Sequence, residues 1–155
     1  MSNKKQVITI VLILIMIATD AFIWSNSFAA GIVSNAQSDS IMNIIKPVVD
    51  PQNKVPVNIF SFLIRKTAHF TEFFLLGIEI MLVRITAKKP MIFTMLFIML
   101  SAAVIDESIQ IFSGRTDSVK DILLDFAGAV CGMAAVFIIY FIVSYIKKKR
   151  TRIKT

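Results

Sequence analysis

The sequence is poor in cysteine, in histidine and in charge. Of 155 residues one is Cys, one is His and 17% are charged. A lone Cys131 excludes a disulfide framework and any zinc module built on paired cysteines. So little charge beside 56% apolar residues excludes intrinsic disorder, which needs the opposite balance. No P-loop, H-E-x-x-H helix or nucleophile-elbow serine is present. Internal repeats and low-complexity tracts are also missing, and the length suits one domain spanning 1–155. What the chain does have is one apolar run after another and a mean hydropathy of +0.75. That is the composition of a membrane protein.

A membrane-crossing helix takes about 20 mostly apolar residues, and a helix satisfies its own backbone within lipid. Four segments qualify: 7–24, 59–83, 91–112 and 118–146. The expected architecture is all-α, a polytopic bundle of four transmembrane helices with an extracytoplasmic loop after the first and a basic tail at 147–155. The loop, 25–58, is rich in Ser, Asn and Gln and holds Pro47, Pro51 and Pro56, which interrupt helices. Within it only the apolar island 41–45 reads as a partial helix. The first segment has a second reading as a signal peptide, with Lys4 and Lys5 ahead of it and Ser27-Phe28-Ala29 as a small-x-small cleavage site. Its apolar run continues to Trp24, an interfacial anchor type, which favours retention.

The net charge of +7 raises nucleic acid as a partner, and the placement of the charges argues against it. Lys4, Lys5, Arg84, Lys88, Lys89, Lys147, Lys148, Lys149, Arg150, Arg152 and Lys154 gather at one set of helix ends, 11 of the 17 cations with no acid among them. Cations of this kind mark the cytoplasmic side, so the N and C termini are expected there. The tail then meets anionic lipid.

Ionisable groups at membrane depth are costly and mark function by default, with partners inside the bundle. On the second span Arg65, His69, Glu72, Leu76 and Glu79 fall on a stripe about 80° wide at helical spacing. A buried ion-pair network that only fixes helix register is the plainer alternative. The third span ends in Asp106 and Glu107, with Gln110 on the same face one turn on. Two adjacent acids repel unless a cation is near, and Arg65, Lys66 and Arg115 are those available. Residues 113–118 read as a turn into the last helix, which Asp117 or Ser118 caps and Asp121 supports. Asp117, Asp121 and Asp125 recur every four residues and share a face with Gly128 and Gly132, whose spacing lets another helix approach closely. That face is expected to turn inward, toward Arg65, His69 and Glu72. Cys131 and the many Met and Phe residues read as core or lipid-facing filler.

Two blocks carry a resemblance. Arg65-Lys66-Thr67-Ala68-His69-Phe70-Thr71-Glu72-Phe73-Phe74-Leu75-Leu76-Gly77 is similar to the R-K-x-x-H-x-x-E-[YF] pattern of the VanZ-like family of bacterial membrane proteins. Asp106-Glu107, Gln110, Phe112, Arg115, Ser118 and Asp121, running on to Gly128 and Gly132, resemble its D-E-x-x-Q and R…D pattern. Ser25, Ser27, Ser34 and Ser38 resemble, less distinctively, the polar stretch after the family's first helix. One departure is Asp125, where the family usually carries Asn, and an extra carboxylate there alters the local charge balance. The resemblance implies a multi-pass protein of the bacterial cytoplasmic membrane, acting in the cell envelope. Its name-giving member is associated with low-level resistance to the glycopeptide teicoplanin. No established reaction comes with it.

Three functions follow as expectations. In the first, the outer-leaflet cluster binds a lipid, glycan or lipoglycopeptide headgroup: Arg65, Lys66 and Arg115 grip phosphate or carboxylate, and Gln110 and Asp121 take hydroxyls or an amine. In the second, an enzyme acts on a lipid-linked phosphate or glycan precursor of the wall. His69, Glu72, Asp106 and Glu107 are its candidate acid/base groups, and Asp117, Asp121 and Asp125 its candidate Mg²⁺ ligands. The first reading needs no cofactor. In the third, a His–Glu–Asp relay serves a proton-coupled transporter, for which so small a bundle would need a homodimer. Glu79 discriminates this last reading, because isolation from the upper cluster would break the path.

Overall fold

The computed structural model describes residues 3–28, 31–87, 92–113 and 119–153, with 31–38 and 151–153 described by backbone alone. Five helices follow in order: α1 (Asn3–Phe28), α2 (Gly31–Val49), α3 (Val57–Ala87), α4 (Ile92–Phe112) and α5 (Val119–Ile153). No strand occurs among the described residues. Helices α1, α4 and α5 are long and apolar enough to cross a membrane. By that measure the expected four spans become three. Helix α3 has the length, at 31 residues, but Arg65, Lys66, Glu72, Glu79 and Arg84 break its apolar runs.

Helix ends differ from the sequence expectation where polar side chains find partners. Helix α1 runs past Trp24 through Ser25, Asn26 and Ser27. Ser25 Oγ donates to the Phe22 carbonyl at 2.8 Å, and Asn26 and Ser27 donate to acids on other helices. Residues that read as loop are therefore satisfied as helix. The basic tail is also helical as far as Ile153. Lys and Arg are good helix formers, and their charge suits a helix C-terminus.

The larger correction is α2. In place of a short partial helix at 41–45, the loop holds 19 helical residues with Pro47 inside. Pro47 stands in the last turn, where its missing N–H and its ring act back on the Asn43 carbonyl, and the helix stops two residues later. Helix α2 packs on α3, with Met42 and Phe60 both buried. The turn after it is built on Asp50, whose carboxylate accepts from the backbone N–H of Lys54 at 2.9 Å and of Val55 at 2.8 Å. Asn53 supplies the left-handed residue, with φ of 50°, a conformation Asn tolerates.

The Val55 amide holds the Asp50 carboxyl below its usual range, helped by the Lys54 amide and the Lys46 charge and opposed by partial desolvation. A carboxyl depressed on folding stabilises the turn above its unfolded value of about 3.9, and that contribution is lost as pH falls through the lower folded value. Hydrogen exchange of a peptide covering 50–56 is therefore expected to show protected Lys54 and Val55 amides at pH 5–7. Protection, corrected for the intrinsic rate, should fade only below about pH 4 and be lost at every pH in Asp50→Ala.

The core is shared by four helices. It comprises Ile23 of α1; Phe73, Leu76, Ile80 and Met81 of α3; Met95, Met99, Ala102 and Ala103 of α4; and Ala129 and Met133 of α5. Outside it the apolar residues continue. Val7, Leu14, Phe22, Phe93, Phe97, Leu123, Ile138 and Phe141 are among many large hydrophobic side chains left exposed. Exposure on this scale is that of a surface meant for lipid.

Helix α3 is the centre of the bundle, and its most extensive pairing is with α5. Three glycines make that pairing close. A Cβ on Gly77 would strike the Ala129 carbonyl, one on Gly128 the Phe70 carbonyl and one on Gly132 the Phe74 carbonyl. Phe70 meets Gly128 and Phe74 meets Gly132, so both helices advance four residues in step and run parallel. Against α1 the direction reverses: Thr19 meets Glu79 and Asn26 meets Glu72.

Candidate functional site

The polar groups of the bundle meet in two tiers along α3. The upper tier centres on Asp106 of α4, which is fully buried. Its Oδ1 accepts from Ser27 Oγ of α1 at 2.5 Å, and its Oδ2 accepts from Gln110 Nε2 one turn on at 2.7 Å. His69 Nδ1 of α3 stands 3.7 Å from Asp106 Oδ2 and 3.9 Å from Glu72 Oε2. Glu72 Oε1 accepts from Asn26 Nδ2 of α1 at 3.1 Å. Ser113 closes the top, donating to the Ser27 and Ile109 carbonyls at 3.0 Å.

Helix α5 completes the tier with Asp125, 1% exposed. Neither of its carboxylate oxygens has a hydrogen-bond partner among the described residues. Asp106, Glu107 and Asp121 act on it as like charges and Lys66 as the opposing one. Asp106, Glu107 and Asp125 are thus three acids exposed by 2% or less at the meeting of three helices. Buried ions of one sign need an opposite charge beside them.

The lower tier lies two turns down α3. There Glu79 Oε1 accepts from Thr19 Oγ1 at 2.9 Å, and Asp20 is its charged neighbour. Ile23 and Leu76, 1% and 0% exposed, sit between the tiers in sequence and belong to one apolar cluster.

The residues expected to grip a headgroup lie toward the mouth. Lys66 forms an ion pair with Asp121, both partly exposed, and Arg65 Nη1 donates to Ser61 Oγ one turn back at 3.0 Å. Gln110 is buried and engaged with Asp106. Arg115 and Asp117 lie outside the described residues. Of the acids considered for Mg²⁺, Asp121 faces Lys66, while Asp125 turns to His69 and Asp106. Two cavities of about 310 Å³ lie elsewhere, one between α2 and the Asp50 turn and one against Arg84, Met133 and Phe137.

A family model, VanZ/LLP1, matches residues 7–143. The chain belongs to the VanZ/LLP1 family. Comparison with curated proteins and with solved structures gives no match. Membership and the apolar helices together make it a VanZ-like membrane protein.

Sequence reasoning about this VanZ-like protein left out Thr19, Asp20 and Asn26, and gave Ser27 only a loop or cleavage role. A signal was present. Thr19 and Asn26 are seven residues apart, as are Glu72 and Glu79. Seven residues are two helical turns, so two antiparallel helices bring both pairs together at once.

Proposed function

We propose that this VanZ-like protein spans the bacterial cytoplasmic membrane four times, α3 included, with both termini in the cytoplasm. In this reading it binds a lipid, glycan or lipoglycopeptide headgroup of the envelope at the outer leaflet, and so contributes to teicoplanin-type resistance. The observation that carries it is the upper tier: polar groups from α1, α3, α4 and α5 packed together inside a bundle whose outer faces are apolar. Helix α3 has length to spare, and pairing its acids with Asn26 and Thr19 of α1 removes the objection to its charge. Arg65 and Lys66 stand partly exposed beside the tier, where an anion can reach them. Orientation rests on the cations at the start of α1 and the ends of α3 and α5.

The test is a lipoglycopeptide challenge of cells carrying wild type, Arg65→Ala or Asp106→Ala at equal membrane expression, beside a deletion strain. Both variants are expected to be as sensitive as the deletion. Variants that protect as well as wild type would remove the cluster from resistance.

A second reading, an outer-leaflet enzyme on a lipid-linked phosphate, is favoured by His69 standing between Glu72 and Asp106. An imidazole beside two carboxylates suits proton transfer. Turnover of such a substrate by purified protein, lost in His69→Gln, would establish it. The relay reading loses support because Ile23 and Leu76 divide the tiers.

A further inference from the structure

Asp125 is the acid of the upper tier with both carboxylate oxygens buried and without a hydrogen bond among the described residues. A buried carboxylate with no donor and three acidic neighbours is strongly disfavoured unless something positive joins it. Lys66 is the cation whose charge acts on it, and Lys66 is already paired with Asp121.

We propose that His69, Asp106 and Asp125 bind one divalent transition-metal ion. One donor atom from each lies within 4.8 Å of the others, and the His69–Asp106 edge is 3.7 Å. Donors about 2.1 Å from a shared ion stand about 3 to 3.5 Å apart, so side-chain shifts of about 1 Å close the set. Two carboxylates and a neutral imidazole balance a dication in charge, and the ion supplies what Asp125 lacks. The imidazole nitrogen favours Zn²⁺ over the oxygen-preferring Mg²⁺ and Ca²⁺, and the two carboxylates also suit Mn²⁺. Ser27 and Gln110 hold both oxygens of Asp106 in place, the role that supporting hydrogen bonds play around metal ligands. Three protein ligands leave a position open for water or an anionic group. The proposal does not rest on the headgroup reading. Metal bound without any lipid leaves it standing, and a metal-free protein that still protects cells leaves the other standing.

The full-length protein in detergent, stripped by chelator and dialysed, is titrated calorimetrically with ZnCl₂, MnCl₂ and MgCl₂, and its metal content is measured by plasma mass spectrometry. One Zn²⁺ or Mn²⁺ per chain is expected, with Mg²⁺ at least about tenfold weaker. Asp125→Asn and His69→Gln should each weaken binding by at least about tenfold, while Glu79→Gln, nearly three turns from His69 along α3, should not. Asp125→Asn keeps the shape of the side chain, and its helix content and elution volume check its fold. Should that variant misfold, pulsed electron paramagnetic resonance of Mn²⁺ on wild type reads imidazole nitrogen coupling directly. No stoichiometric metal, unchanged binding in Asp125→Asn, absent nitrogen coupling, or loss confined to Asp121→Asn would each overturn the proposal.

Discussion

Gly132→Leu is expected to drive α5 off α3 and to abolish the folded bundle in detergent. Even the first carbon of a side chain there would strike the Phe74 carbonyl. The obstacle is backbone, which has no rotamer to escape into. Overpacking a close-packed interior costs about 1–3 kcal/mol where side chains can yield, and here they cannot. Gly132→Ala tests the point more finely. Alanine is the better helix former by about 1 kcal/mol, so on an open helix face it would stabilise. A net loss is expected at Gly132 and equally at Gly77, whose Cβ would meet the Ala129 carbonyl. Thermal unfolding followed by the emission of the single tryptophan, Trp24, reads both, since it packs against the core. If both alanine variants melt with wild type, the two backbones are not in contact. The same displacement moves Asp125 away from His69 and Asp106, so metal binding should fall with the fold.

Asp106→Ala should be the most damaging single change among the polar residues. It leaves the Ser27 hydroxyl and the Gln110 amide without their acceptor and removes the acid beside His69. Hydrogen bonds to a charged group are worth about 1.5–3 kcal/mol each, so the loss is about 3–6 kcal/mol. Relief of repulsion with Glu107 and Asp125 opposes it. The sign of the outcome therefore measures how well the acids are neutralised. A variant that melts higher than wild type would mean three charges held together without compensation. Asp121→Ala is the contrast. Its pair with Lys66 is partly exposed, and such pairs contribute about 0–1 kcal/mol. A drop for Asp121→Ala as large as that for Asp106→Ala would place the stabilising centre at the mouth.

Much of the bundle was legible in the chain because helical periodicity is local. Residues 91–112 read as a helix and form one, from Ile92 to Phe112. Gly128 and Gly132 read as a close-approach face and lie against α3. Helix α2 was not legible, because three prolines dominate its neighbourhood, of which Pro51 and Pro56 fall beyond the helix end and only Pro47 lies inside. The polar end of α1 was not legible either. Asn26 and Ser27 read as loop until acids on α3 and α4 are there to receive them.

By itself the sequence determined a membrane-embedded, all-helical VanZ-like chain with acids, a histidine and cations at set intervals along its helices. Composition and spacing are properties of each segment alone, and they suffice for that. Tertiary structure decided which group meets which: Thr19 with Glu79, Asn26 with Glu72, Ser27 with Asp106, Lys66 with Asp121, and Asp125 beside His69 and Asp106. Partner choice depends on the rotation and register of whole helices. For α3 and α5 those are fixed by their glycine contacts, which join residues far apart along the chain.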